Sequence, residues 1–335
     1  MRELGSLHAS PEAAWPRFLR FWALSAAAAA AATYALLLAV DPYDTGRVPG
    51  LGLGRTREQA PRTAHASRAR DPQFDAAIVG NSHVQLYSPE RLNALTGFRF
   101  VSLATPATGV REHKALLGYF LKHRTAAPKA MVIGVDEFDC QSGPGAEQRL
   151  QSNPFPFWLY APDFLTYARG VFRTKAVEDT LATIVGAKRP LTLASRDGYW
   201  DYEGQKLYGE RNRARVNPNS KVPLATHAGP FPGLAILAEM LDEIPSTTRV
   251  ALVITPVLAT LRPSPDSPEG EAEAACKAAI RSLASVRPHV AVLDFRTDTP
   301  LTRDPRAFWD ESHITQGLAQ ALEPDIARAV SPAGP

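Results

Sequence analysis

The chain has 335 residues, 45% of them apolar and 21% charged, with 37 Lys+Arg against 34 Asp+Glu. That balance belongs to a folded protein and excludes a mostly disordered chain, a collagen-like fibre and a polytopic membrane protein. A formal charge of +3 is too small to argue for nucleic acid, which needs a clustered basic face.

Residues 1–20 read as a short N-terminal cytoplasmic segment, and the first strong feature follows them. Phe21 to Val40 is a run of twenty residues without a charge. At about 1.5 Å of rise per residue, a helix of that length covers the roughly 30 Å hydrocarbon core of a bilayer. Arg17 and Arg20 precede it, Asp41 and Asp44 follow it, and Trp15, Trp22 and Tyr34 suit its interfaces. The alternatives are a cleaved signal peptide and a buried Ala-rich helix. The run is longer than a usual signal core and no clear small-x-small site follows it, so a transmembrane signal anchor over 21–40 is the favoured reading. Arginine counts do not settle its orientation, because residues 47–70 carry more positive charge than residues 1–20.

Residues 41–72 are rich in Gly, Pro and Arg without an apolar period and read as a linker. From residue 73 to 335, short apolar runs alternate with amphipathic stretches. Strands are expected at Phe74–Gly80, Phe98–Ala104, Ala130–Val135, Arg249–Thr255 and His289–Phe295. Helices are expected at Arg111–Arg124, Gly233–Ile244, Gly270–Val286 and Gln316–Val330. Near-continuous Val/Ile/Ala strands imply a sheet covered on both faces, so the fold class is α/β with a three-layer, doubly wound parallel sheet. A long insertion at about 137–248 interrupts this pattern. It carries the aromatic run Phe155–Tyr160, an expected helix Asp163–Gly186 and the segment Arg196–Tyr208. Its length suggests a lid or subdomain near the site; a helix and hairpin that merely shield a sheet edge is the alternative.

Ligands on such folds bind beyond the C-terminal strand ends. The first strand runs into Gly80-Asn81-Ser82-His83, where a serine gains nearby backbone N–H donors and the positive end of a helix. Near the C-terminus stands Asp310-Glu311-Ser312-His313, whose carboxylate can orient an imidazole that takes a proton from a serine. Each alone reads more commonly as a helix cap. Together they sit at the ends of separate elements of one sheet.

On those residues the chain resembles the SGNH (GDSL-type) hydrolases over roughly 74–135 and 249–330. The resemblance implies Ser82 as nucleophile, His313 as base and Asp310 as orienter. It also implies an oxyanion hole from the backbone N–H groups of Ser82 and Gly109, the latter in the loop Ala104–Gly109. No metal or organic cofactor is needed. A single N-terminal span ahead of the domain resembles the membrane-anchored branch acting on cell-envelope polymers, including proteins of alginate O-acetylation and teichoic-acid D-alanylation. Implied partners are an acylated envelope glycan or acyl donor, the membrane through one helix, and envelope-assembly proteins, with no nucleic acid. The implied location is the inner membrane, with the domain on the periplasmic or extracellular side.

Two departures stand out. Asn81 occupies the place of the family's usual Asp. After the third strand, Gly134-Val135-Asp136-Glu137 replaces a Gly-x-Asn-Asp block whose Asn donates to the oxyanion; an ionised Asp136 accepts instead. A catalytically inactive scaffold that binds a glycan or an assembly partner is therefore the alternative to an esterase or O-acyltransferase.

Cys140 and Cys276 are too few for a disulfide framework or a zinc cluster. They could form one bridge in an oxidising compartment, although their spacing gives no evidence for it. His83 is a candidate substrate contact or a plain helix-start residue. Tyr199 and Trp200, with Trp158, Tyr160 and Tyr202, are candidates for a sugar-stacking platform, with core packing preferred for Trp158. His113 and His123 read as solvated, and Asp136 with Glu137 lacks the partner cluster that a cation site needs.

Overall fold

The computed structural model describes residues 11–49, 60–141, 154–185, 194–203 and 209–331, with side chains from residue 15 onward. The segment before residue 11, residues 50–59 of the expected linker, and residues 204–208 lie outside the described residues.

In chain order the helices and strands are α1 (Pro11–Val40), α2 (Pro61–Arg70), β1 (Ala76–Val79), α3 (Pro89–Thr96), β2 (Phe100–Ser102), α4 (Val110–Lys122), β3 (Ala130–Val135) and α5 (Glu137–Cys140). They continue with α6 (Phe157–Tyr160), α7 (Phe164–Val171), α8 (Thr174–Ile184), α9 (Glu210–Arg213), α10 (Pro232–Glu243) and β4 (Arg249–Ile254). The chain closes through α11 (Pro268–Ser285), β5 (Val290–Asp294), α12 (Pro300–Arg303) and α13 (Gln316–Val330).

The five strands form one all-parallel sheet in the order β2-β1-β3-β4-β5. Successive residues face opposite layers. Ala77, Val79, Met131, Ile133, Val250 and Leu252 join the core formed with α4, α10 and α11. Ala76, Ile78, Ala130, Val132, Ala251 and Val253 join the core formed with α3 and α13. This is why the strands read as unbroken apolar runs: both faces are covered. The order reverses between β1 and β3, and the crevice at such a switch point is where doubly wound folds place ligands.

Two regions depart from expectation. Residues 41–72 are not a solvated linker where they are described. Residues 61–70 form α2, which buries Ala64, His65, Ala66 and Ala69. Tyr43 is also buried and donates its hydroxyl to Asp179 Oδ2 at 2.9 Å. The buried stripe of α2 is alanine and histidine with arginines beside it, too weakly apolar to register as an amphipathic period. The expected helix Asp163–Gly186 is two helices, α7 and α8, broken at Phe172 and Arg173.

Trp15–Val40 within α1 is long and apolar enough to cross a membrane, with a mean hydropathy of 1.9, and only its last turns are buried by the rest of the chain. Cys140 and Cys276 are joined in a disulfide that ties α5 to α11.

Candidate active site

The site is built at the ends of β1 and β3 and on the turn before α13. After β1 the chain must turn within a residue. Gly80 and Gly134 allow it, because a Cβ on either would meet Val84 at 2.6 or 2.5 Å. Asn81 then caps the 3-10 turn Ser82–Val84, accepting from His83 N at 3.0 Å. Its amide donates to Thr108 O at 3.4 Å and to the Asp136 carboxylate, so one side chain joins the ends of β1 and β3 to the loop before α4.

Asp310 organises the second half. Its Oδ1 accepts from Ser312 N at 2.9 Å and His313 N at 2.7 Å, closing the turn. Its Oδ2 lies 2.7 Å from His313 Nδ1. A carboxylate on Nδ1 keeps the proton there and leaves Nε2 as the acceptor. Nε2 stands 2.9 Å from Ser82 Oγ, and the Ser82 hydroxyl donates to it. Burial pushes the Asp310 carboxyl up, but the hydrogen bond and charge of His313 outweigh it and hold it down at about 2. The insertion braces the turn: Arg213 donates to Phe308 O at 3.0 Å and lies 4.4 Å from the Trp309 ring, while Tyr202 donates its hydroxyl to Ile314 O at 2.8 Å.

A second histidine–carboxylate pair lies beside the first. His83 Nδ1 is 3.1 Å from Asp136 Oδ2, and its ring is 5.1 Å from that of His313. Burial pulls His83 down, but Glu137, Asp136 and Asp310 together raise it to about 9, so it carries a charge at neutral pH. Glu137 is pushed up by burial and by its neighbour Asp136. His83, Asp136 and Glu137 hold ligand-type atoms within 4.8 Å of one another, the partner that adjacent carboxylates alone did not reveal. Both Asp136 oxygens are already engaged, by Asn81, His83 and Phe138 N, which makes the group an internal ion pair rather than a metal centre.

A cleft of about 410 Å³ opens over these groups, within the usual range for small-ligand sites. Ser82, His83, Glu137, Trp200, Tyr202 and His313 are among its lining residues.

Three expected residues belong elsewhere. Gly109 does not offer its N–H to the cleft: as the residue before α4 it donates to Glu112 Oε2 at 3.1 Å. Pro106 and Ala107 of the same loop reach the cleft instead. Tyr199 packs against the α3/α13 core and does not line the cleft, whereas its neighbour Trp200 does. His113 is buried, not solvated, with Nε2 3.1 Å from Thr108 Oγ1, and burial lowers it to about 4.

The loop after β2 is held by two residues outside every sequence motif. Arg62 donates to Pro106 O at 2.9 Å, and His65 Nε2 lies 3.1 Å from Ala104 O. Both fall in residues 41–72, which read as a linker, so the sequence singled out neither.

No protein-family model and no curated protein matches the chain. Among solved structures it is similar to a gut microbial diltiazem-metabolizing enzyme, at 12% identity and a TM-score of 0.37, over 77% of this chain and 47% of that one. The chain thus spans about half the length of that enzyme, and so distant a likeness carries no argument about chemistry.

Proposed function

We propose that the protein is a membrane-anchored serine esterase or O-acyltransferase that acts on acyl esters of a cell-envelope polysaccharide. The observation that carries this reading is the continuous Ser82–His313–Asp310 relay, at 2.9 and 2.7 Å, facing a cleft. The hydrogen-bonded order hydroxyl, imidazole, carboxylate is what nucleophilic acyl chemistry requires. The SGNH resemblance, the anchor reading of α1 and the Cys140–Cys276 bridge, which suits an oxidising compartment, support the envelope assignment.

In this mechanism Ser82 Oγ attacks the ester carbonyl carbon while its proton passes to His313 Nε2. The tetrahedral intermediate collapses, and the leaving alcohol takes that proton. Water or a sugar hydroxyl, deprotonated by His313, then attacks the acyl-Ser82 ester, and His313 returns that proton to Ser82 Oγ as the acyl–oxygen bond breaks, restoring the enzyme. Ser82 N–H makes no hydrogen bond among the described residues and is one donor to the oxyanion. His83 is the second: it spends Nδ1 on Asp136 and lines the cleft, so Nε2–H of its imidazolium is the donor left for developing negative charge. In this reading Asp136 does not face the oxyanion as a bare repulsive carboxylate. It holds a cation that does the work of the missing Asn.

Turnover of p-nitrophenyl acetate by the full-length chain in detergent tests the proposal. Ser82→Ala and His313→Ala are each expected to lower turnover by at least about 10³-fold with little change in thermal stability. Equal turnover by all three proteins removes both residues from the chemistry. The commitment of Gly109 N–H to Glu112 favours the second reading, a scaffold that binds a glycan or an assembly partner. That reading is supported by zero turnover in the folded parent chain together with glycan binding unaffected by Ser82→Ala.

A further inference from the structure

Among the described residues, large apolar side chains are exposed at ten positions outside α1, and seven of these lie in residues 157–185, the others being Leu95, Val286 and Leu301. Phe164, Leu165, Phe172, Leu181, Ile184 and Val185 are among the seven, with Phe172 52% and Val185 74% exposed. Such a concentration on one stretch of a folded domain marks a surface meant to be covered. Its place beside α1 indicates by what. α1 packs against α8, Leu37 and Val40 in its last turn are buried, and the Tyr34 and Phe172 rings meet edge to face at 5.8 Å.

The depth of that contact follows from helix geometry. Arg20 and Asp41 bound the apolar run, so a spanning α1 ends its hydrocarbon segment near Val40. Tyr34 is six residues earlier, or about 9 Å deeper along the axis. A side chain touching Tyr34 is then below the headgroups, at the depth where interfacial helices bury their apolar faces, roughly 5–10 Å into the boundary. On the same stretch Arg173 lies over the Trp158 ring at 4.6 Å and Lys175 pairs with Asp179 at 2.9 Å, while Arg169 is exposed, as a long cationic chain that reaches lipid phosphates from an apolar face commonly is.

We infer that α7 and α8 form a membrane-seated face, with Phe164, Leu165, Phe172 and Leu181 inserted at the headgroup–acyl boundary of the leaflet that α1 enters. The occupant of the apolar face is lipid. This inference rests on the anchor reading of α1 and goes beyond it: the domain is held against the bilayer at a second place and does not swing on a tether. Its insertion divides into a membrane half, residues 157–185, and a cleft half in which Trp200, Tyr202 and Arg213 brace the site.

The test uses the full-length chain in phosphatidylcholine/phosphatidylglycerol nanodiscs, with its native cysteines left bridged. Single cysteines at Leu165→Cys and Leu181→Cys carry an environment-sensitive fluorophore, with Leu24→Cys in α1 and Leu95→Cys on the opposite helical layer as references. Quenching by doxyl-labelled lipid and by aqueous iodide is compared. The expected result is lipid quenching at Leu165→Cys and Leu181→Cys several-fold above that at Leu95→Cys, with iodide quenching correspondingly lower. Iodide access equal to that of Leu95→Cys, while Leu24→Cys is quenched by lipid, overturns the inference and leaves the anchor intact. Shielding of both sites from both quenchers overturns it in favour of a protein partner or a second copy. Absence of lipid quenching at Leu24→Cys removes the anchor reading and this inference together.

Discussion

Asp136 and His83 carry the most informative exchange in the site. Where the resemblance called for a neutral donor after β3, the chain has a carboxylate, and sequence alone read it as an acceptor in a donor's place. The structure pairs it with an imidazole contributed by the residue after Ser82. Spacing could not show this pairing, because it depends on β1 and β3 being adjacent in the sheet. The pair has a pH signature. The pKa of His83 rises from 6.5 to about 9 on folding, so its stabilisation is fully present below about pH 6.5 and is lost as pH rises through about 9. Thermal stability of the parent chain is expected to fall over that interval, and a His83→Gln variant to lose the dependence. In the proposed mechanism turnover falls as pH rises through about 9, where the folded-state imidazolium gives up its proton. His83→Gln is expected to lower turnover about 10²-fold near neutral pH and to flatten the alkaline limb; unchanged turnover with an unchanged limb removes His83 from the oxyanion role.

Elements explain which parts of the molecule were legible. The five strands and four principal helices were readable within about two residues, because two-sided burial leaves apolar runs and amphipathic helices leave periodic ones. Ser82, Asp310 and His313 were readable because each lies in a short local block at an element end. α2 was not, since its buried face is alanine and histidine. Nor was Gly109's commitment to Glu112, which arises from the helix start itself. Two elements also carry stability predictions. The Cys140–Cys276 bridge closes a separation of 136 residues, and its reduction is expected to cost about 2–4 kcal/mol, a fall in Tm on the order of 10 °C. Glu273 on α11 stands between Arg296 at 3.0 Å and Lys277 at 3.0 Å, both buried. Burial pushes its carboxyl up, but the two cations outweigh that and hold it at about 2. Glu273→Ala takes the carboxylate from the buried Arg296 guanidinium, while Lys277 keeps Asp294 at 3.1 Å, and an expected loss of about 3 kcal/mol is measurable by chemical denaturation.

At the scale of the whole molecule, a doubly wound sheet brings together groups 231 residues apart in sequence, Ser82 and His313, at the mouth of its switch point. The disulfide, α2 and the cleft half of the insertion hold the surrounding loops in place, and α1 with the apolar face of α7 and α8 relates that mouth to a bilayer in the proposed arrangement. The proposed function rests on Ser82 as its nucleophile, so the most direct measurement is covalent capture. The full-length chain is treated with a fluorophosphonate and the adduct is located by peptide mass spectrometry. The account predicts one adduct, on Ser82, absent from Ser82→Ala and formed at least about 10²-fold more slowly in His313→Ala. A natively folded chain that forms no adduct, or forms one on another residue, contradicts it.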